Sequence, residues 1–347
     1  MSNHLEIDFL PVGNGEKSGD AIAFRYGDFS DKQKQYIVVI DGGTIESGKA
    51  LVEHIKEFYG SYVDLAILTH PDGDHSSGLR EVLNELKVGE LWLHKPWEHS
   101  KEILDLFIDG RITSNSLSER LKDAYNFAHE VEQIAIKKDI TIKEPFAGLS
   151  FNNGIIKVLG PTESFYESLI PEFTKSPEQK TQLQKAFSGL KEAVNWVFES
   201  MDIETLSEDG ETSAENNSSC ITLLEFDNAK YLFTGDSGIQ GMQNAIDYAK
   251  SKKIDISNIR FLQVPHHGSH RNVSPTILNQ IKCTTAFVSS AKDAPKHPSK
   301  KVVNALIRRG ANVHATNGNV KCHHKNCPSR QGYSSATPLP FYEQVEE

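Results

Sequence analysis

The stretch "THPDGDH" carries four side chains able to bind a cation within six residues: His70, Asp72, Asp74 and His75. Imidazole nitrogen and carboxylate oxygen suit Zn²⁺, and a larger share of oxygen moves the preference toward Mn²⁺ or Fe²⁺. A lone His-x-Asp would read as polar surface, and Asp74 or Ser76 could serve as a helix N-cap. Four ligand types at this spacing, directly after the apolar run "VDLAIL", point to a metal loop. The run does not alternate, which predicts a strand buried on both faces with the loop leaving its C-terminal end. Pro71, Gly73 and Gly78 let that loop turn tightly.

The elements that must hold the loop alternate between strand and helix. "LEIDFL", "AIAFRY" and "QYIVVI" are short apolar runs bounded by Gly or charge, and "GKALVEHIKEFYG" has helical spacing at Leu51, Ile55 and Phe58. A helix in "SGLREVLNELKVG" and a strand in "ELWLH" complete an α/β order. Residues 100–140 read as helical: Ser116 and Glu119 have capping-box spacing, and Leu117, Leu121, Ala124, Ala128 and Val131 form one stripe. Residues 162–215 read as an insertion, with an amphipathic helix or two in "SPEQKTQLQKAFSGLKEAVNWVFESM" followed by an exposed acidic loop. "CITLLEF-DNA-KYLFTGD" predicts a hairpin, after which helix and strand alternate again. The expected organisation is one domain over 1–320, with the insertion inside it, and a tail over 321–347. There is no solenoid repeat.

The chain of 347 residues is 38% hydrophobic and 24% charged, the balance of an ordinary soluble protein. With no apolar run of bilayer length and no signal-peptide features at the start, a cytoplasmic protein is expected. Four cysteines fit that reducing compartment. A formal net charge of −10 argues against a broad electropositive nucleic-acid surface. A phosphate-bearing substrate stays open, because bound divalent ions invert the local field.

"THPDGDH" resembles the HxHxDH signature of metallo-β-lactamase-fold hydrolases, in the variant with Asp for the second His. Three further stretches follow in the family's order: "VIDGG" with Asp41, "YLFTGD" with Asp236, and "VPHHGS" with His266. The implied fold is an α/β four-layer αβ/βα sandwich. "FLPVGNGEKSGDAIAF" is similar to the start of the hydrolase domain of ComEC-type DNA-uptake proteins, with extra residues between Gly15 and Gly19. "NNSSCITLLEF" and "KHPSKKVVNAL" carry that similarity to about Gly310, and bacterial phosphorylcholine esterases share the HxDxDH and HHGS forms. Asn216 and Asn217 stand where other members keep a His. That departure leaves one metal with fewer protein ligands and turns the expectation away from lactam or thioester chemistry.

The resemblance implies two divalent ions, zinc first and manganese as the alternative, with Asp236 as the bridge. His70 and Asp72 would bind one ion, and Asp74, His75 and His266 the other or share it. Asp74 is also a candidate catalytic group. His267 would face substrate, steadying a phosphoryl oxygen or protonating the leaving group, or be a surface His beside a ligand. Asp41, Asn216, Asn217 and His297 are candidates to touch substrate or support ligands. His297 precedes a helix that Pro298 and Ser299 suit, and Lys300 and Lys301 are either phosphate attractors or a solvated face. His94 and His99 are candidates to line the pocket.

The expected activity is metal-dependent cleavage of phosphodiesters, nucleic acid or nucleotide among them. Two alternatives stay open: hydrolysis of another ester, thioester or lactam, and a non-catalytic module stabilised by metal. No membrane partner is expected, and the insertion could receive a protein. In "KCHHKNC", Cys322, His324 and Cys327 could bind a structural zinc, or sit by chance in a flexible tail. Cys220 and Cys283 read as small core residues.

Overall fold

The computed structural model describes residues 3–346 except 16–17, 32, 108–110, 175, 177–195, 329 and 331–332. The chain starts with β1 (His4–Phe9), β2 (Ile22–Gly27), β3 (Gln35–Ile40), α1 (Ile45–Phe58) and β4 (Tyr62–Ile67). Next come α2 (Gly73–Ser76), α3 (Leu79–Glu85), β5 (Lys87–Trp92), α4 (Ser114–Ala124), α5 (Asn126–Lys137) and β6 (Thr141–Lys143). The middle holds β7 (Ser150–Phe151), β8 (Ile156–Gly160), α6 (Glu163–Leu169), β9 (Trp196–Phe198) and α7 (Ala214–Asn217). β10 (Ile221–Phe226), β11 (Ala229–Phe233), α8 (Ile239–Ser251), β12 (Asn258–Gln263) and α9 (Pro275–Gln280) follow. The last elements are β13 (Lys282–Val288), α10 (Lys300–Arg308), β14 (Asn312–Ala315), β15 (Lys321–Lys325) and β16 (Gln344–Glu346).

These strands form two seven-stranded sheets, ordered β15-β1-β2-β3-β4-β5-β6 and β14-β13-β12-β11-β10-β8-β7, beside a small β16-β9 pair. Both sheets are mixed, with parallel pairs from β3 to β6 and from β11 to β14. Strand alternation sorts the side chains into layers. Leu65, Ile67 and Trp92 point inward and meet Phe233, Phe261 and Phe287 of the other sheet. Their intervening neighbours Ala66 and Leu91 point outward, into a core shared with Leu51, Leu83 and Val131 of α1, α3 and α5. On the far side, Leu232, Leu262 and Ala286 pack against Met242, Ile277 and Val303 of α8, α9 and α10. The layer order is therefore helix, sheet, sheet, helix. The four-layer αβ/βα architecture expected from the sequence is present.

The hairpin reading holds: Asp227 and Asn228 both have left-handed φ, 51° and 58°, the geometry of a two-residue type I′ turn. Other expectations need correction. The helix expected to be capped by Ser116 is capped by Thr113, whose Oγ1 accepts from Ser116 N at 3.1 Å, while Ser116 Oγ accepts from Thr113 N. Ser116 is thus the inner member of the capping box, because the helix starts at Ser114 rather than beyond it. Trp196–Phe198, read as helix, is a strand paired with β16; most of the amphipathic segment before it lies outside the described residues. The acidic loop is tied down: Glu208 accepts from Thr276 N at 3.0 Å at the start of α9, and Glu204 pairs with Arg309 at 2.8 Å. Residues 321–325 are no tail. They pair antiparallel with β1 from Leu5↔Lys325 to Phe9↔Lys321, and His323 packs its ring against Phe261.

Candidate metal centre

Leu68 N donates to Trp92 O at 2.9 Å, so the metal loop leaves the first sheet at the C-terminal edge of its parallel strands. Asp41 leaves the neighbouring strand β3 in the left-handed region, φ 56°, which Asp tolerates better than most residues. Its Oδ1 accepts from Thr69 N at 2.8 Å and its Oδ2 from Thr69 Oγ1 at 2.6 Å. The same Oδ2 lies 2.8 Å from His75 Nδ1, and Thr69 Oγ1 lies 3.0 Å from His70 Nδ1. One buried carboxylate therefore orients both imidazoles, one directly and one through a hydroxyl. The backbones cross closely here: a Cβ on Gly78 would sit 2.1 Å from Gly42 O.

Asp236 enters from the second sheet, after β11. Its backbone is fixed by Ser219 Oγ, which accepts from Asp236 N at 3.2 Å, and by Asn272 Nδ2, which donates to Asp236 O at 2.8 Å. Around Asp236 Oδ2 stand four imidazole Nε2 atoms: His75 at 3.4 Å, His267 at 3.6 Å, His266 at 3.7 Å and His70 at 4.0 Å. Burial alone would raise the Asp236 carboxyl, but the surrounding imidazoles outweigh it and hold it well below the usual range. Burial pushes the His267 imidazole down to about 3, toward the neutral form that ligates metal.

Two sets of buried ligand atoms share Asp236. His70, His75 and Asp236 form one, and Asp20, Asp236 and His267 the other, each with its atoms within 4.8 Å of one another. His75 Nε2, Asp236 Oδ1 and His267 Nδ1 are buried without a hydrogen-bond partner. An imidazole nitrogen and a carboxylate oxygen left without partners in a buried cluster of His and Asp fit a divalent transition metal. The residues present suit the group that the motif implies.

Of the residues expected from the sequence, His70, His75 and Asp236 come together. Asp72 reaches in from the rim, with Oδ2 3.7 Å from His70 Nε2 and a side chain 41% exposed. Asp74 sits half-buried on α2 and joins neither set of ligand atoms. The two consecutive histidines differ from expectation. Both approach Asp236, yet His267 is 4% exposed while the His266 side chain is 29% exposed. His266 Nδ1 lies 2.9 Å from Asn272 Oδ1 and 3.2 Å from Asn216 Nδ2. Asn216 thus borders the site. Asn217 does not: its Oδ1 accepts from Gly241 N at 3.2 Å and its Nδ2 donates to Ser213 O at 3.3 Å, so backbone occupies its amide. His297 stacks on His266 with centroids 6.0 Å apart, and burial pushes it down to about 4.

His94 and His99 pack with Tyr166 and Phe146 under α6; His94 stacks on Tyr166 at 4.4 Å. Cys322, His324 and Cys327 do not converge. Cys322 groups with Glu6 and Asp8, whereas Cys327 Sγ donates to Leu5 O at 3.0 Å. Arg330 fills the space instead, 2.6 Å from Glu6 Oε2 and 2.9 Å from Asp8 Oδ2. Burial and Asp8 push the Cys322 thiol well up.

Asp20 was missed. It is 1% exposed, and its Oδ2 accepts from Gln263 Nε2 at 2.6 Å. Burial pushes its carboxyl up to about 8, with His75 opposing and Asp236 and Asp41 adding. A Cβ on the preceding Gly19 would meet Asp74 O at 2.2 Å, so this loop lies directly against the metal loop. The signal available was the Gly-Asp step in "SGDAIAF".

Four layers of helix, sheet, sheet and helix, with the "THPDGDH" loop and Asp236 meeting where the two sheets end, decide the fold. The chain has the metallo-β-lactamase fold. No family model matches it. The ComE operon protein 3 of Bacillus subtilis (strain 168) is 30% identical over 117 residues, 33% of this chain and 14% of that protein. Recombination protein 2 of Haemophilus influenzae (strain ATCC 51907 / DSM 11121 / KW20 / Rd) is 32% identical over 124 residues, 35% of this chain and 15% of that protein. The chain is thus distantly related to a region of these proteins and matches only about a seventh of their length. A metallo-β-lactamase superfamily protein from Sulfolobus tokodaii is 14% identical, with 78% of this chain and 82% of that one covered and a TM-score of 0.33. Among the described residues of this metallo-β-lactamase-fold chain, no helix is long and apolar enough to cross a membrane.

Proposed function

We propose that this chain is a metal-dependent hydrolase of phosphodiester bonds, in nucleic acid or nucleotide. The observation that carries the reading is Asp236 Oδ2 standing within 4.0 Å of Nε2 of His70, His75, His266 and His267. His70 and His75 would hold one divalent ion, with Asp72 at its rim, and His267 a second, with Asp236 shared between the two sets. Zinc is the leading ion for this donor set and manganese the alternative. Such a pair supplies a nucleophile at neutral pH and positive charge for the phosphoryl oxygens.

The chain's own groups do the rest. Asp41 keeps His75, and through Thr69 also His70, turned with Nε2 toward the centre. His266 takes the substrate role that the sequence suggested for His267, because its ring is the more exposed and its Nδ1 is tied back. Its Nε2 is positioned to steady a phosphoryl oxygen or to protonate the leaving group. Asn216 and His297 flank it. The similarity of "FLPVGNGEKSGDAIAF" to DNA-uptake proteins favours a polynucleotide.

The test is hydrolysis of bis(p-nitrophenyl) phosphate and of DNA with Mn²⁺ or Zn²⁺, for the wild type and for His70→Ala and His75→Ala. Metal-stimulated cleavage lost in both variants is expected. Turnover of a thioester or β-lactam without phosphodiester cleavage would replace the reading. A fully metallated protein inert to all of these would be a metal-stabilised module.

A further inference from the structure

We infer that Asp20 is a direct ligand of the metal centre, supplying the carboxylate that completes the set formed by Asp236 and His267. This rests on the metal reading of the site. Asp20 carries one ligand atom within 4.8 Å of Asp236 and His267 and one within that distance of Asp41 and His75. Its two oxygens are treated differently by the fold. Oδ2 is held by Gln263 Nε2 at 2.6 Å, and Gln263 Oε1 in turn accepts from Thr234 N at 3.0 Å. Oδ1 is buried without a hydrogen bond of good geometry, the neighbouring Ser289 Oγ donating instead to Gly19 O at 2.8 Å. A ligating carboxylate has this form, one oxygen oriented by a neighbour and one left for the ion.

Charge points the same way. Asp20, Asp41 and Asp236 are all buried within one cluster. Among the described residues no Lys or Arg forms an ion pair with any of the three. Of basic groups, imidazoles alone face these carboxylates, and a divalent ion touching Asp20 would add the fixed positive charge the cluster lacks. The chemistry also answers the departure at Asn216 and Asn217, where an expected imidazole is lacking. An oxygen from a different loop makes up the count, and it shifts the donor set toward harder ions such as Mn²⁺.

The experiment compares wild type with Asp20→Asn, which keeps an oxygen for Gln263. Metal-free proteins are titrated with Co²⁺ and followed by visible absorption, with zinc counted by elemental analysis. Wild type should take about two equivalents. Asp20→Asn should take about one, with the other more than 100-fold weaker, beyond the 10–100-fold typical of an outer-sphere partner. In chelator the variant should melt close to wild type, since Asn keeps the oxygen that accepts from Gln263 Nε2. Two equivalents at wild-type affinity in Asp20→Asn would overturn the role of Asp20 alone. No binding by wild type would overturn the metal reading, and the inference with it. Anomalous diffraction from zinc-loaded wild-type crystals checks the claim without any variant. A peak about 2.0–2.2 Å from an Asp20 oxygen is expected; a zinc beyond about 3 Å from both oxygens contradicts it.

Discussion

Asp41 grips His75 from behind, with Oδ2 2.8 Å from Nδ1, while Nε2 of the same ring faces Asp236 Oδ2 at 3.4 Å. The carboxylate sets the ring's tautomer and orientation from the Nδ1 side, opposite the Nε2 that faces Asp236. Asp41→Asn should bind metal about 10–100-fold more weakly while keeping the fold, because Asn also accepts left-handed backbone. Titration of the metal-free variant reads this. Unchanged affinity would reduce Asp41 to an anchor for Thr69.

His266 and His267 should separate by experiment. His267→Ala should lose metal and melting temperature together, since an ion bound only to the folded state stabilises by mass action. His266→Ala should keep metal and melting temperature but lose turnover, by about 10²–10⁴-fold for a general acid. Elemental analysis, a melting curve and one phosphodiesterase assay on each variant decide it. The reverse pattern would restore the assignment first suggested by the motif.

His99 should make stability depend on pH. Burial opposes its protonation, but Glu144 at 3.2 Å and Glu167 at 3.0 Å outweigh this and push it up to about 9. A raised folded value means the stabilisation is fully present below the unfolded value of about 6.5 and is lost as pH rises through about 9. Melting curves in chelator between those limits should fall more steeply for wild type than for His99→Gln. Parallel curves would show that the ion pairs contribute nothing.

How much of this was legible follows from how far apart in sequence the partners lie. His70, Asp72, Asp74 and His75 sit on one loop, so spacing alone revealed them, and the non-alternating "VDLAIL" marked the buried strand beneath. Asp20 reaches the site only through the pairing of β1 with β2 and the meeting of two sheets, which no local pattern encodes. The roles of His266 and His267 turn on two successive left-handed residues, φ 46° and 55°, where neither strand nor helix periodicity applies. β15 was unreadable for another reason. Its inward residue is His323, packed on aromatic rings where an apolar side chain is the usual signature of a strand.

That last strand yields a stability prediction. Arg330 bridges Glu6 and Asp8, which are both buried. Removing one partner of a buried pair costs roughly 3–5 kcal/mol. Arg330→Ala should fall at the low end, because Arg25 still pairs with Glu6 and His54 with Asp8. Urea unfolding measures it. A loss under about 0.5 kcal/mol, the size of an ordinary surface change, would mean the network is solvated.

The most direct measurement is metal content. Protein purified without chelator should carry about two divalent transition-metal ions per chain, and Asp236→Ala should lose at least one because the shared carboxylate is gone. Elemental analysis of both, scaled to protein concentration, gives the answer. A folded wild-type protein that neither carries metal nor takes it up from excess Zn²⁺ or Mn²⁺ would contradict the account at its root.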